Sequence, residues 1–436
     1  MLPAASFSYL RRASLLALAL VASACSGGTS ASQEPGTPGT NAQRHATAPY
    51  VVLLSLDGFR HDYLDRYPTP ALGRVASEGV RADRMIPVFP TKTFASHYTI
   101  ATGLHAEHHG LVGNRFWDPE RGELYALGNR DAVEDGTWYR GEPIWVTAER
   151  QGMVTAAFYF VGTEADVGGI RPTNWKRYDA AVGNAARVDS VLAWLALPPE
   201  TRPHLITMYF SDLDDIGHAF GPDSPETRDA VAAVDVQIGR LLDGFSALPH
   251  GGDVYLFIVS DHGMLRAEAT RAQPVDTALF RGVRMVEGGP YASLWVDEGG
   301  AERLPGLRDS LRTLLPEADV WLRTEVPPRF HYSADPRIGD IVILAYPGAT
   351  VVTPDRMPGK DGFTHGWDNL TPAMGAIFLG RGPHIAPGQR IAEFESVHVY
   401  PLLAHLLGLE PAPVDGRLEV LAPILGGAGP GGNQRR

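Results

Sequence analysis

Five short, continuous apolar runs constrain most strongly what this chain can fold into: YVVLLSLD at 50–57, VTAAFYF at 154–160, HLITMYFSD at 204–212, DVYLFIVSD at 253–261 and GAIFLG at 375–380. Runs of this length and character are strands buried on both faces. Helix-like patterns lie between and after them. PETRDAVAAVDVQIGRLLDGF at 225–245 sets Val231, Val234, Ile238, Leu241 and Leu242 on one stripe, and YPLLAHLLGL at 400–409 is a second apolar helix with Pro401 in its first turn. The alternation predicts an α/β fold: a central, mostly parallel sheet with helices on both faces. Ligands of such folds gather beyond the carboxyl ends of the strands.

What ends those strands is chemistry. The first run stops at Asp57-Gly58, the run from 204 leads into Asp214-Asp215-Ile216-Gly217-His218, and the run from 253 stops at Asp261-His262-Gly263. A fourth segment, GFTHGWDN at 362–369, adds His365 in a Gly-rich turn. Asp57, Asp214, His218, Asp261, His262 and His365 thus arrive at one end of one sheet from four places. Carboxylate and neutral imidazole are ligands zinc accepts, and a two-metal centre takes about six such side chains. Asp214 and His218, four residues apart, also have the spacing of a surface helix pair. Asp212 and Asp215 flank Asp214, so the residues alone leave open which of the three carboxylates serves. His105, His108 and His109 are expected on a solvated turn rather than as ligands, Lys92 in solvent, and Trp367 in packing.

The stretch FPTKTFASHY at 89–98 admits two readings from its residues. Thr93 could cap a helix, or it could be a hydroxyl nucleophile at a helix N-terminus, where free N–H groups favour an anion.

Composition sets the outer limits. With 44% apolar and 20% charged residues, the 436-residue chain has ample material for a core. A net charge of −12 and no basic stripe exclude binding to nucleic-acid duplexes. No internal repeat is present, so residues 49–425 are expected to form one catalytic domain, with 264–360 carrying an accessory lobe. Residues 1–24 read as a signal peptide: Arg11-Arg12, then LLALALVA at 15–22, then Ser23-Ala24. That run is shorter than the ~20 residues of a membrane span. Cys25 is the only cysteine, which precludes an internal disulfide. It ends VASAC, a segment like a bacterial lipobox with Ala22 where leucine is usual. Two outcomes stay open: lipidation at Cys25 with membrane anchoring, or plain cleavage near Ala24. Either gives an exported protein, periplasmic or anchored to an outer membrane. Residues 25–48, rich in Ser, Gly, Thr and Pro, read as a flexible linker, and 426–436 as a disordered tail.

Seven motifs occur in order: Asp57-Gly58-Phe59-Arg60, Pro90-Thr91-Lys92-Thr93-Phe94, Thr102-Gly103-Leu104, Gly113-Asn114, Asp214-x-x-x-His218, Asp261-His262-Gly263 and His365-Gly-Trp-Asp368-Asn369. Together they closely resemble the nucleotide pyrophosphatase/phosphodiesterase family of the alkaline phosphatase superfamily, from about Tyr50 to Asp415. The resemblance implies two zinc ions. One would be held by Asp214, His218 and His365, the other by Asp57, Asp261 and His262 beside the Thr93 oxygen. It implies Thr93 as the covalent nucleophile and Asn114 as a donor to a phosphate oxygen. It also implies Phe94, Tyr178 and Tyr209 as aromatic residues around a nucleobase. The chain departs from the family at Ala95-Ser96, where Pro-Asn is usual. The expected activity is release of nucleoside 5′-monophosphates from nucleotide pyrophosphates and phosphodiesters. A lipid or choline-headgroup phosphodiesterase, a phosphomonoesterase and a non-catalytic zinc-binding lipoprotein are the alternatives.

Overall fold

The first apolar run folds as strand β1 (Tyr50–Leu56), all of it buried. Its side chains alternate between two cores: Val51 and Leu53 enter one hydrophobic cluster, while Val52, Leu54 and Leu56 enter the other. Burial on both faces is why the run shows no polar alternation. The computed structural model describes residues 39–296 and 300–426, which fall in one unit. The leader at 1–24, Cys25 and all but the first residue of the 426–436 tail lie outside the described residues.

In chain order the strands that matter are β1, β2 (Val80–Ala82), β3 (Thr155–Phe158), β4 (Asn174–Lys176), β5 (Leu205–Phe210), β6 (Val254–Val259), β7 (Val283–Glu287), β8 (Tyr291–Val296), β9 (Ala318–Leu322), β10 (Ile341–Ala345), β11 (Phe378–Arg381) and β12 (Gln389–Ile391). The helices that matter are α1 (Thr93–Thr102), α2 (Asn184–Leu195), α3 (Asp212–Phe220), α4 (Pro225–Ala247), α5 (Leu304–Leu314) and α6 (Val399–Leu407). Eight strands form the main sheet, in the order β12-β2-β11-β6-β1-β5-β3-β4. β6, β1, β5, β3 and β4 run parallel. α1 and α6 pack on one face, α2 and α4 on the other. The stripe expected on α4 is buried throughout, and Ser224 caps the helix by accepting from the Thr227 N–H.

β11, within the run GAIFLG, lies antiparallel to both β6 and β2. The loop holding His365 sits at the carboxyl end of the sheet, so the strand that follows it must run away from that end. Between β6 and that loop, β7–β10 form an antiparallel sheet with α5 against it and a hydrophobic cluster of its own, which is the accessory lobe.

Residues 41–48 depart from the expected tether. The Asn41 amide donates to the Pro199 and Arg202 carbonyls and accepts from the Val154 N–H, and His45 is buried. Polar backbone pairing, rather than apolar burial, docks this segment, so composition gives no sign of it. No helix among the described residues is long and apolar enough to cross a membrane.

Candidate active site

Beyond β1 the backbone turns at Gly58, whose φ is +69°. A side chain there would bring a Cβ within 2.9 Å of the Asp214 Cα. Glycine is therefore what lets the ends of β1 and β5 close on one another. Asp57, Asp214 and Asp261 converge at this point, and one oxygen of each (Asp57 Oδ1, Asp214 Oδ1 and Asp261 Oδ2) is buried without a hydrogen-bond partner. Burial, then the neighbouring charges of Asp261 and Asp214, push the Asp57 pKa well above the carboxylate range. Burial and the nearby Asp214 charge push Asp261 up to about 8.

Three histidines face the same point, each fixed from behind. The Nδ1 of His262 pairs with the Gly263 carbonyl at 2.9 Å, that of His365 with the Thr91 carbonyl at 2.7 Å, and that of His218 with the Phe363 carbonyl at 2.7 Å. A carbonyl on Nδ1 selects the tautomer that leaves Nε2 free for a metal. His262 Nε2 lies 2.9 Å from Asp261 Oδ2 and 3.6 Å from Asp57 Oδ1. His218 and His365 Nε2 lie 3.5 and 3.7 Å from Asp214 Oδ1. Donor atoms close enough to share an ion occur in the groups Asp214/His218/His365, Asp57/Asp214/His262 and Asp57/His97/Asp261. All six expected ligands stand among these groups, with Asp57 and Asp214 each common to two. The expected trio Asp214/His218/His365 is one of them, whereas Asp57, Asp261 and His262 are divided between the other two. Orphaned carboxylate oxygens and pre-oriented imidazoles fit divalent cations.

Asp212 and Asp215 stand apart from these groups, Asp212 accepting from the Asn184 amide at 2.7 Å. His109 is buried and bonded to Thr99, His108 pairs with Asp415, and His105 stacks on His331. None of the three joins a candidate metal group among the described residues. His108 is exposed as expected, whereas His105 and His109 are buried rather than on a solvated turn. Lys92 is likewise buried, not solvated, with Nζ 3.9 Å from Glu287 Oε1. Trp367 is packed, its indole donating to the Ala349 carbonyl.

Thr93 is the first residue of α1 and not its cap, which is Lys92. Its Oγ1 lies 3.3 Å from His262 Nε2. Asn114 accepts the Phe94 N–H at 2.9 Å through Oδ1, which leaves its NH2 to donate elsewhere. A cavity of about 320 Å³ is lined by Thr93, Asn114, Asp57, Asp214, His218 and His365, and also by Phe94, Tyr178 and Tyr209. Tyr178 is 38% exposed there. Tyr209 is nearly buried and also supports the carboxylate cluster, since its hydroxyl donates to Asp57 Oδ2.

Two residues that hold the site escape sequence reasoning. Thr91 holds the His365 turn through its carbonyl and hydroxyl. His97 is buried with Nδ1 on the Thr93 carbonyl and Nε2 on Ser55 Oγ, both at 2.8 Å, and burial pushes its pKa down to about 3. Its place one helical turn after Thr93 is the available signal.

An uncharacterised pyrophosphatase/phosphodiesterase of Schizosaccharomyces pombe is 35% identical over 86% of this chain and 80% of its own length. Human ectonucleotide pyrophosphatase/phosphodiesterase family member 1 is 34% identical over 84% of the chain, which spans 41% of that protein. A venom phosphodiesterase of Crotalus durissus collilineatus is 33% identical over 84% of the chain, which spans 45% of it. The chain therefore covers less than half the length of the last two. The structure of human ectonucleotide pyrophosphatase/phosphodiesterase 5 superposes with a TM-score of 0.82 at 30% identity, covering 87% of this chain and all of that one. The murine counterpart, solved as an inactive threonine-to-alanine form with AMP, gives 0.80 at 29% identity over 86% of this chain and all of its own. The profile of the type I phosphodiesterase / nucleotide pyrophosphatase family matches residues 51–368, and the chain belongs to that family of phosphodiester hydrolases.

Proposed function

We propose that this protein is a zinc-dependent hydrolase that cleaves nucleotide pyrophosphates and phosphodiesters to nucleoside 5′-monophosphates through a covalent Thr93 intermediate. The observation that carries it is one cavity of about 320 Å³ lined by Thr93, Asn114, metal-ligand candidates and three aromatic side chains. The AMP complex of the inactive murine relative supports a nucleotide in such a site.

Cations bound at the carboxylate–imidazole groups would favour the alkoxide form of a hydroxyl and neutralise charge on the leaving oxygen. Thr93 Oγ1 would attack phosphorus as its proton passes to solvent, and the bond from phosphorus to the leaving oxygen would break, the leaving group departing as pyrophosphate, phosphate or an alcohol. As the first residue of α1, Thr93 would set the transferred group at a helix N-terminus, whose dipole favours an anion. Asn114, held by Phe94 through Oδ1, donates from Nδ2 to a non-bridging oxygen as charge develops there. Water then cleaves the threonyl diester, restoring the hydroxyl and releasing the monophosphate. Phe94, Tyr178 and the edge of Tyr209 form an aromatic slot for the base, and base stacking contributes about 1–3 kcal/mol.

The test is kcat/KM for p-nitrophenyl thymidine 5′-monophosphate, p-nitrophenyl phosphate and p-nitrophenyl phosphorylcholine with zinc-loaded protein. The nucleotide diester should win by at least an order of magnitude. A lead for the monoester or the choline ester would overturn the substrate assignment and leave the metal site standing.

A further inference from the structure

Arg187 is 3% exposed, and its hydrogen bonds go to carbonyls rather than to a carboxylate. Burying a cation against neutral partners costs stability, so folding alone does not account for it. What it touches suggests a purpose. Nε donates to the Val182 carbonyl at 2.9 Å, in the loop that follows Tyr178. Nη1 donates to the Tyr209 carbonyl at 2.7 Å, at the carboxyl end of β5. The guanidinium carbon lies 5.0 Å from the centre of the Tyr159 ring.

Tyr159 is itself unusual. It follows β3 with φ at +70°, a left-handed backbone that a bulky residue rarely adopts and that the surroundings must enforce. Its ring meets Tyr178 edge-on at 5.1 Å and lines the same cavity. Tyr178, exposed on its outer side, is held further by its backbone N–H, which donates to the buried Glu164 carboxylate. One guanidinium therefore gathers three segments that would otherwise set the Tyr178 ring independently.

We infer that Arg187 is a positioning residue for nucleobase recognition: by fixing Tyr159 and the 178–182 loop, it holds the Tyr178 ring upright at the cavity wall before substrate arrives. A ring held in place does not lose rotational freedom when a base stacks on it, and binding is stronger by that amount. The inference rests on the nucleotide reading above.

Arg187→Met keeps the apolar stem and removes the donors and the charge. The experiment measures kcat and KM of wild type and variant for p-nitrophenyl thymidine 5′-monophosphate and for methyl p-nitrophenyl phosphate, which has the same leaving group and no base. The KM of the nucleotide should rise roughly five- to tenfold, a fraction of the full effect of a stacked base. Its kcat and both constants for the methyl ester should stay within about threefold. An equal loss on both substrates would assign Arg187 to general structure and overturn the inference. If the wild type itself fails to prefer the nucleotide, the nucleotide reading falls and takes the inference with it. Should Arg187→Met show no cooperative unfolding transition, Arg187→Lys, which keeps the charge but cannot serve both carbonyls, decides by the same split between substrates.

Discussion

The Thr91 carbonyl accepts Nδ1 of His365 at 2.7 Å, so the residue two before the nucleophile candidate sets the imidazole that faces it across the cavity. The Thr91 hydroxyl completes the clasp, donating to the Trp367 carbonyl at 3.0 Å and accepting the Gly366 N–H at 2.9 Å. Thr91→Val keeps the carbonyl and removes the two hydroxyl bonds. It should destabilise the protein by about 2 kcal/mol, at about 1 kcal/mol per lost bond. Zinc affinity should fall roughly tenfold or more as the His365 ring loosens. Urea unfolding and competition with a chromophoric chelator measure the two effects.

Thr93→Ala should lower kcat for the nucleotide diester by about three orders of magnitude or more, as loss of a covalent nucleophile does in other hydrolases. Bound zinc should remain at the wild-type ratio. Thr93→Ser should recover part of the rate and trap a phosphoseryl species on acid quench, read by mass spectrometry. Unchanged turnover in Thr93→Ala would exclude the covalent route.

Asn114→Ala should cost roughly 10²–10³ in kcat with a smaller change in KM, the pattern of a donor that matters most as charge develops. The same change frees the Phe94 N–H at the first turn of α1. Asn114→Asp, which keeps the acceptor for that N–H and removes the NH2 donor, separates the two effects. If Asn114→Asp retains full kcat, the donor role is wrong.

Metal removal should make stability depend on pH in a direction opposite to ordinary acid denaturation. The folded-state pKa of Asp261 is raised to about 8, and that of Asp57 is raised well above its usual value, both chiefly by burial. Between the unfolded carboxylate value near 4 and those raised values, the folded state binds more protons than the unfolded one. Stability of the metal-free protein is thus fully present below about pH 4 as far as these groups go, and is lost as pH rises toward 8. Buried histidines whose pKa is lowered, such as His97 and His109, work in the opposite sense up to their unfolded value near 6.5, so the signature is confined to higher pH. Chelated protein should show a Tm that falls from pH 7 to pH 8, while zinc should flatten or reverse the trend. A metal-free Tm that rises over that interval would contradict this.

Much of this is legible in the sequence because strands buried on both faces leave an unmistakable apolar run, and because the chemistry sits where those runs end. Asp57, Asp214 and Asp261 are found that way, and an ordered set of motifs supplies roles for Thr93 and Asn114. The residues that escape act through backbone atoms: Thr91 and His97 bond to carbonyls, and Arg187 gathers two more. Such partners have no residue identity to read. The antiparallel setting of β11 is hidden for a related reason, since strand direction depends on where the preceding loop ends in space. A lysine next to a loop is expected in solvent, and Glu287, which faces the buried Lys92, lies far along the chain, beyond any local pattern.

Asp214 stands in two candidate metal groups, one with His365 and one with Asp57. A single carboxylate shared in this way makes the two sites electrically dependent. The first cation to arrive would take up most of that charge, and the second would meet a poorer, more crowded ligand set. Loading should therefore be stepwise, with a tight and a weak phase, and a preparation holding one equivalent would be a distinct species, not half of the molecules fully charged. With zinc as the proposed ion, an activity assay on this protein would also read the zinc concentration at which it was run.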